Sequence, residues 1–232
     1  MENEKNQDHI EMALFRAGPL HPYRLKIEKM LKDLPVKTGD ILFRLDGYVF
    51  WGLFNFSETV CTLTKSNFDH AAVVYVENEI PMVVEISDQG CTLFRLVDWA
   101  DYVFASTFSV YRLKTGLDTD ANIAKLQESV KTLIASDPDY DFSFGNENGK
   151  FYCTEFVAKV YEDAGLPLMK PMLIKDIMGG GWRYWLFYAI NKLAGKITGM
   201  CFNAETPMYF VGNNKQGMMS SPLISLMAKI SF

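Results

Sequence analysis

Three residues far apart in the chain could together break an amide bond: a cysteine, a histidine and a glutamate. The cysteine, Cys153, lies in Phe151-Tyr152-Cys153-Thr154-Glu155-Phe156-Val157, just after a polar, glycine-containing stretch over residues 145–150. Apolar residues then recur at Phe156, Val157, Val160, Tyr161 and Ala164, which is one helical face. Gly165, with Pro167 beyond it, is a stop signal. Cys153 is therefore expected in the first turn of a helix. The free N–H groups and positive dipole end there favour a thiolate over a thiol. The same N–H groups can hold an oxyanion. Burial without chemistry is the commoner fate of a cysteine, so Cys153 needs a partner before it means anything.

The partner is His70. It opens the β-branched run His70-Ala71-Ala72-Val73-Val74-Tyr75-Val76, and Ile80-Pro81-Met82-Val83-Val84-Glu85-Ile86 returns after a turn, a hairpin signal. With Glu77-Asn78 as a two-residue loop, Val76 faces Glu79 and His70 stands directly opposite Glu85. Opposed residues share a face, with Cβ atoms about 4.5–5.5 Å apart. A loop one residue longer would destroy the match. A cysteine nucleophile needs a base, and the base needs an acceptor to orient it. Cys153, His70 and Glu85 supply all three, with Asp69, Ser87 and Asp88 as other groups that could orient the imidazole.

The elements that must position these residues can be read in order. Residues 9–17 and 23–34 carry helical stripes, broken by Gly18-Pro19. His9 and His21 are expected to be surface or packing residues. Gly39-Asp40 turns the chain into the short strand Ile41-Leu42-Phe43. Further strands are expected over 92–96 and 108–113, with a short helix over 97–100 between them. An amphipathic helix is expected over 120–136, with Asp118, Thr119 and Asp120 as cap candidates. After Gly179-Gly180-Gly181 the chain becomes aromatic, with Trp182, Tyr184, Trp185, Phe187 and Tyr188. Polar residues interrupt this run, so it is expected to pack on the domain, cover a cleft or lie on a membrane surface rather than span one. Residues 203–232 carry no clear pattern.

Composition sets the limits. The chain has 232 residues, 49% hydrophobic and 22% charged, enough for one full core with extensions. Its net charge of −5 implies no basic surface for nucleic acid. The four cysteines (Cys61, Cys91, Cys153, Cys201) form no C-x-x-C pair and there are three histidines, so neither a zinc site nor a disulfide framework is expected. The polar N-terminus carries no apolar signal core, and no run of 18 apolar residues occurs. A reducing, cytoplasmic setting follows as the expectation.

Taken together, Gly39-Asp40-Ile41-Leu42-Phe43, Phe68-Asp69-His70-Ala71-Ala72-Val73-Val74-Tyr75, Glu85 with Gly90, Tyr140-Asp141-Phe142, Tyr152-Cys153-Thr154-Glu155-Phe156 and Gly165-Leu166-Pro167 resemble the circularly permuted branch of the NlpC-type papain-like fold. The YiiX-like amidases are the nearest group within it. The likeness covers roughly residues 38–167. It implies an α+β fold, with an antiparallel sheet or half-barrel packed against helices. It implies a thiolate–imidazolium pair with Cys153 as nucleophile, His70 as base and Glu85 as the third polar residue. Tyr152 matches a position that shapes the oxyanion site. No cofactor is implied. The chain order of histidine, carboxylate and cysteine reverses that of ordinary papain-like enzymes, but geometry rather than order defines a triad.

The expected organisation is a helical lead-in over 1–35, a catalytic domain over 36–178 and an extension over 179–232 that packs on or caps it. The expected activity is cleavage of an amide in a peptide-like substrate through an acyl-thioester. Acyl transfer or thioester cleavage on an acylated substrate at a membrane surface, contacted through residues 182–188, is the alternative with the same thiol. A cleft that binds without chemistry is the third.

Overall fold

Runs of β-branched residues separated by turns build the centre of the molecule. The computed structural model describes residues 22–45, 49–50, 54–102, 107–144, 148–179, 185, 188 and 205–231. The expected helix over 9–17, with His9 and His21, lies outside them, as do Trp182, Tyr184, Phe187 and Cys201. In chain order the elements are α1 (Pro22–Leu31), β1 (Ile41–Arg44), the small pair β2 (Val49–Phe50) and β3 (Phe54–Asn55), and α2 (Phe56–Thr64). The hairpin β4 (His70–Glu77) and β5 (Ile80–Ser87) follows, then β6 (Gly90–Arg95), α3 (Leu96–Tyr102), β7 (Thr107–Leu113) and α4 (Asp120–Ala135). The chain continues with α5 (Cys153–Asp163), β8 (Met172–Leu173), α6 (Ile174–Met178), β9 (Pro207–Met208) and β10 (Ile224–Ser231).

Six strands form one antiparallel sheet in the order β10-β7-β1-β4-β5-β6. Period-two alternation divides the buried residues between its faces. Ile41, Phe43, Ala71, Val73, Tyr75, Val84 and Ile86 face α4 and α5, packing on Leu126, Val130, Phe156, Val157 and Val160. Leu42, Ala72, Val74, Val83 and Val110 face the other way, onto Ile27 and Leu31 of α1 and Trp99 of α3. This is the α+β, antiparallel-sheet arrangement the sequence implies.

One expectation needs correction. The β4–β5 turn is Asn78-Glu79, not Glu77-Asn78, and Glu77 pairs with Ile80. Both turn residues have positive φ, 50° and 67°, the primed-turn geometry that matches strand twist. The last segment, expected to pack on or cap the domain, also supplies the edge strand of its sheet: β10 pairs with β7 from Ile224↔Leu113 to Ser231↔Thr107. A bulge between Leu226 and Ala228 breaks the alternation by which a strand is recognised.

Candidate active site

The helix α5 begins where the spacing of its apolar residues predicts, with Cys153 as its first residue. Its buried face carries Phe156, Val157, Val160 and Tyr161, each worth about 1.5–3 kcal/mol on removal from water. The Tyr161 hydroxyl donates to the Gly39 carbonyl, tying α5 to the turn before β1. Gly39 holds φ at 88°, a left-handed conformation that suits glycine. At the other end, Gly165 (φ 77°) takes the chain out of the helix.

The N-cap of α5 is Tyr152, whose side chain makes no capping bond. Its ring is 1% exposed, and its hydroxyl accepts the Tyr209 N–H at 2.7 Å. The Tyr152 hydroxyl, whose position is implied to shape an oxyanion site, is thus engaged as an acceptor by the Tyr209 backbone. Thr154 donates from Oγ1 to the Tyr209 carbonyl at 2.8 Å, and the Tyr209 hydroxyl donates to Glu162 at 2.7 Å. The two side chains that flank Cys153 thus grip both backbone groups of one residue from the late segment. That segment fixes the start of α5.

Cys153 is half-buried, and its thiol donates to the Asp69 carbonyl at 3.9 Å. That carbonyl belongs to the peptide leading directly into His70. The first residue of α5 therefore lies against the peptide that leads into β4.

His70 and Glu85 do come together, by a different register from the expected one. Extending the observed pairing of Val73 with Val84 makes Glu85 a diagonal neighbour of His70 rather than its opposite. A displacement of two positions keeps both side chains on the same face, and diagonal neighbours lie within reach of long side chains. His70 Nε2 lies 2.9 Å from Glu85 Oε2. The same oxygen accepts Trp99 Nε1–H at 2.7 Å, and Arg44 Nη1 lies 3.1 Å from it. The Arg44 guanidinium also sits over the Trp99 ring, 4.5 Å from its centroid. Ser87, an alternative to Glu85, instead accepts the Gln89 N–H in the next turn.

Burial alone would push the Glu85 carboxyl up. The Arg44 charge, the His70 ring and hydrogen bonds from His70 and Trp99 outweigh it and hold Glu85 down at about 2. An ionised carboxylate accepts only, so Nε2 of His70 carries the proton it shares with Glu85. Nδ1 is left as the nitrogen with a lone pair, able to take a proton from a thiol. Arg44 and Trp99 are the residues that reading the sequence misses. The signal for Arg44 is slight: a cation closing the apolar strand Ile41-Leu42-Phe43, in phase with Leu42.

The two other described cysteines differ sharply from a reactive thiol. Burial, then the Asp69 charge, pushes Cys61 up to about 12. Burial, with Asp137 and Glu85, pushes Cys91 up to about 11. Among the described residues no group of three or more His, Cys, Asp or Glu side chains is placed to hold a metal ion, and none of their helices is long and apolar enough to cross a membrane. A metal on His70 and Glu85 would share its oxygen with the Arg44 guanidinium, so this donor set does not fit a cation.

Comparison with known proteins gives the family of the fold. The model of the family described as permuted papain-like amidase enzyme, YaeF/YiiX, C92 family, matches residues 35–228. The uncharacterized protein YiiX of Escherichia coli K12 is 27% identical over 147 residues, covering 61% of this chain and 67% of that protein. The crystal structure of the metalloprotein YiiX from Escherichia coli O157:H7 superposes with a TM-score of 0.66 at 22% identity, covering 84% of this chain and 98% of that one.

Proposed function

The chain belongs to the permuted papain-like amidase family, and from that premise we propose that it is a cysteine amidase or peptidase with Cys153 as nucleophile, His70 as general base and Glu85 orienting the imidazole. The thiol proton passes from Sγ to His70 Nδ1. The thiolate attacks the amide carbonyl carbon, and the N–H groups of the first turn of α5 face the developing oxyanion. The imidazolium returns its proton to the departing amine as the C–N bond breaks, leaving an acyl-thioester on Cys153. Water, deprotonated by the same imidazole, attacks the thioester; the acid leaves and the thiol is restored. No cofactor enters these steps. The substrate is peptide-like or another amide.

The observation that carries this reading is the buried His70–Glu85 pair, together with the Cys153 thiol on the carbonyl of the residue before His70. Alkylation by iodoacetamide at pH 7, read by peptide mass spectrometry, tests it. Cys61 and Cys91 form a quiet background because almost no thiolate exists on either at that pH. Cys153 is expected to label at least about 10-fold faster than both, and H70Q to remove the advantage. Equal rates at the three sites would sink the proposal.

One observation favours a second reading, acyl transfer or thioester cleavage at a membrane surface by the same thiol. Trp185 is 67% exposed and Tyr188 42%, and their rings meet edge to face with centroids 6.3 Å apart. Amphipathic rings of this kind suit a lipid interface. Co-sedimentation with anionic liposomes that is lost in W185A/Y188A supports it; no binding removes it.

A further inference from the structure

Arg44 and His70 are directly opposed on β1 and β4. Their side chains converge on one oxygen of Glu85, a residue 2% exposed. A permanent cation thus shares the carboxylate with the imidazole and the Trp99 indole. With His70 neutral, the buried set of Arg44, Glu85 and His70 sums to zero charge. A proton added to His70 from solvent leaves that set with an uncompensated positive charge. A proton moved to it from Cys153 does not, because the thiolate balances the imidazolium.

Outside this set the Asp69 carboxylate is an anion that acts on Cys61. Asp69, preceding β4, contributes its carbonyl to the Cys153 thiol. Cys91 on β6 is held as a neutral thiol by burial and its acidic neighbours. From α3 the contact is the uncharged indole of Trp99. The acids on that helix are engaged elsewhere: Asp98 with Arg24 and Arg95, and Asp101 with Arg24.

We propose that Arg44 is a positioning residue for the base, sharing Glu85 so that His70 stays uncharged until Cys153 gives up its proton. It does so through Glu85, without touching substrate. The idea rests on the assignment of Cys153 and His70 as nucleophile and base. Its test is nonetheless independent of turnover.

The test is a ring-NMR titration of His70 in the full chain carrying C153A, which removes the thiolate. Adding R44Q is expected to raise the midpoint of the His70 titration by about one pH unit or more, since a nearby like charge has gone. Adding E85Q instead is expected to lower it. The combined R44Q/E85Q change is expected to return it to within about half a unit of the C153A parent, the two charges having offset one another. A midpoint that R44Q leaves in place or lowers would overturn the proposal. So would a combined variant that titrates like E85Q alone. Should R44Q fail to fold by itself, the combined variant against E85Q decides, because a neutral amide pair replaces the ion pair. The alkylation experiment stands apart: fast labelling of Cys153 with no response to R44Q removes Arg44's role and leaves the hydrolase. Slow labelling with the expected titration does the reverse.

Discussion

The two faces of the sheet each bury a glutamate, and the two behave in opposite ways. Glu85, on the α1–α3 face, is held at about 2, because Arg44, His70 and Trp99 outweigh the effect of burial. Glu155, in the first turn of α5 on the other face, is pushed up to about 8. Burial raises it most, and Asp141 and Glu162 add like charge; the Tyr152 backbone N–H opposes them alone. One oxygen of Glu155 has no hydrogen-bond partner among the described residues. Burial penalises an anion on either face. What differs is whether donors meet it. The His70 side of the site is built from paired charge. On the Cys153 side the buried carboxyl meets like charge instead.

The largest effects break the junction between the faces. C153A is expected to lower kcat/KM for amide cleavage by at least about 1,000-fold while the fold persists, since the thiol is only half-buried. H70Q is expected to cost about 100- to 10,000-fold in the same assay. Retained turnover in either would separate the chemistry from this junction.

Next come substitutions that set one carboxyl against the other. E85Q strands a buried guanidinium and is expected to destabilise the fold by about 3–5 kcal/mol at pH 7, read by chemical denaturation. E155Q at pH 8 is expected to stabilise it, because the anion that burial disfavours is never formed. Equal responses would erase the contrast between the faces.

The same contrast predicts opposite pH dependences. Glu85 is depressed in the folded state, so its contribution of about 3 kcal/mol is present above the ordinary carboxyl value and lost as pH falls from about 4.5 through about 2. Glu155 is raised, so its contribution is present below the ordinary value and lost as pH rises from about 4.5 through about 8. Denaturation across pH 2–9 should show E85Q flattening the acid side and E155Q the alkaline side. The smallest expected effect is that of Y152F. It leaves the Tyr209 N–H buried without its acceptor, at a cost of about 1–3 kcal/mol, and lowers kcat by less than about 10-fold. A loss of about 100-fold or more would give that hydroxyl an oxyanion role.

Much of this was legible without coordinates. The recurrence from Phe156 to Ala164 located α5, and the residues flanking Asn78 located the hairpin. Glu85 was picked out by a wrong register that preserved the right face, because a displacement of two leaves the parity of side chains untouched. Arg44 was not visible, since a terminal strand arginine reads as a solvated charge until the strand beside it supplies a carboxylate. The β10 strand was not visible either, its bulge having disrupted the period that announces a strand.

Amino-acid order by itself determined the local matters: which runs are strands, where the cysteine helix begins, and which residues share a face. Those follow from backbone periodicity and from glycine at turns, which act over a few residues. Only the tertiary structure decided that Arg44 and Trp99 crowd onto the oxygen His70 uses, that Tyr209 braces the start of the Cys153 helix, and that the late strand belongs to the main sheet. Those depend on which strands lie side by side, and a low-dielectric interior magnifies what each neighbour contributes in charge or hydrogen bonds.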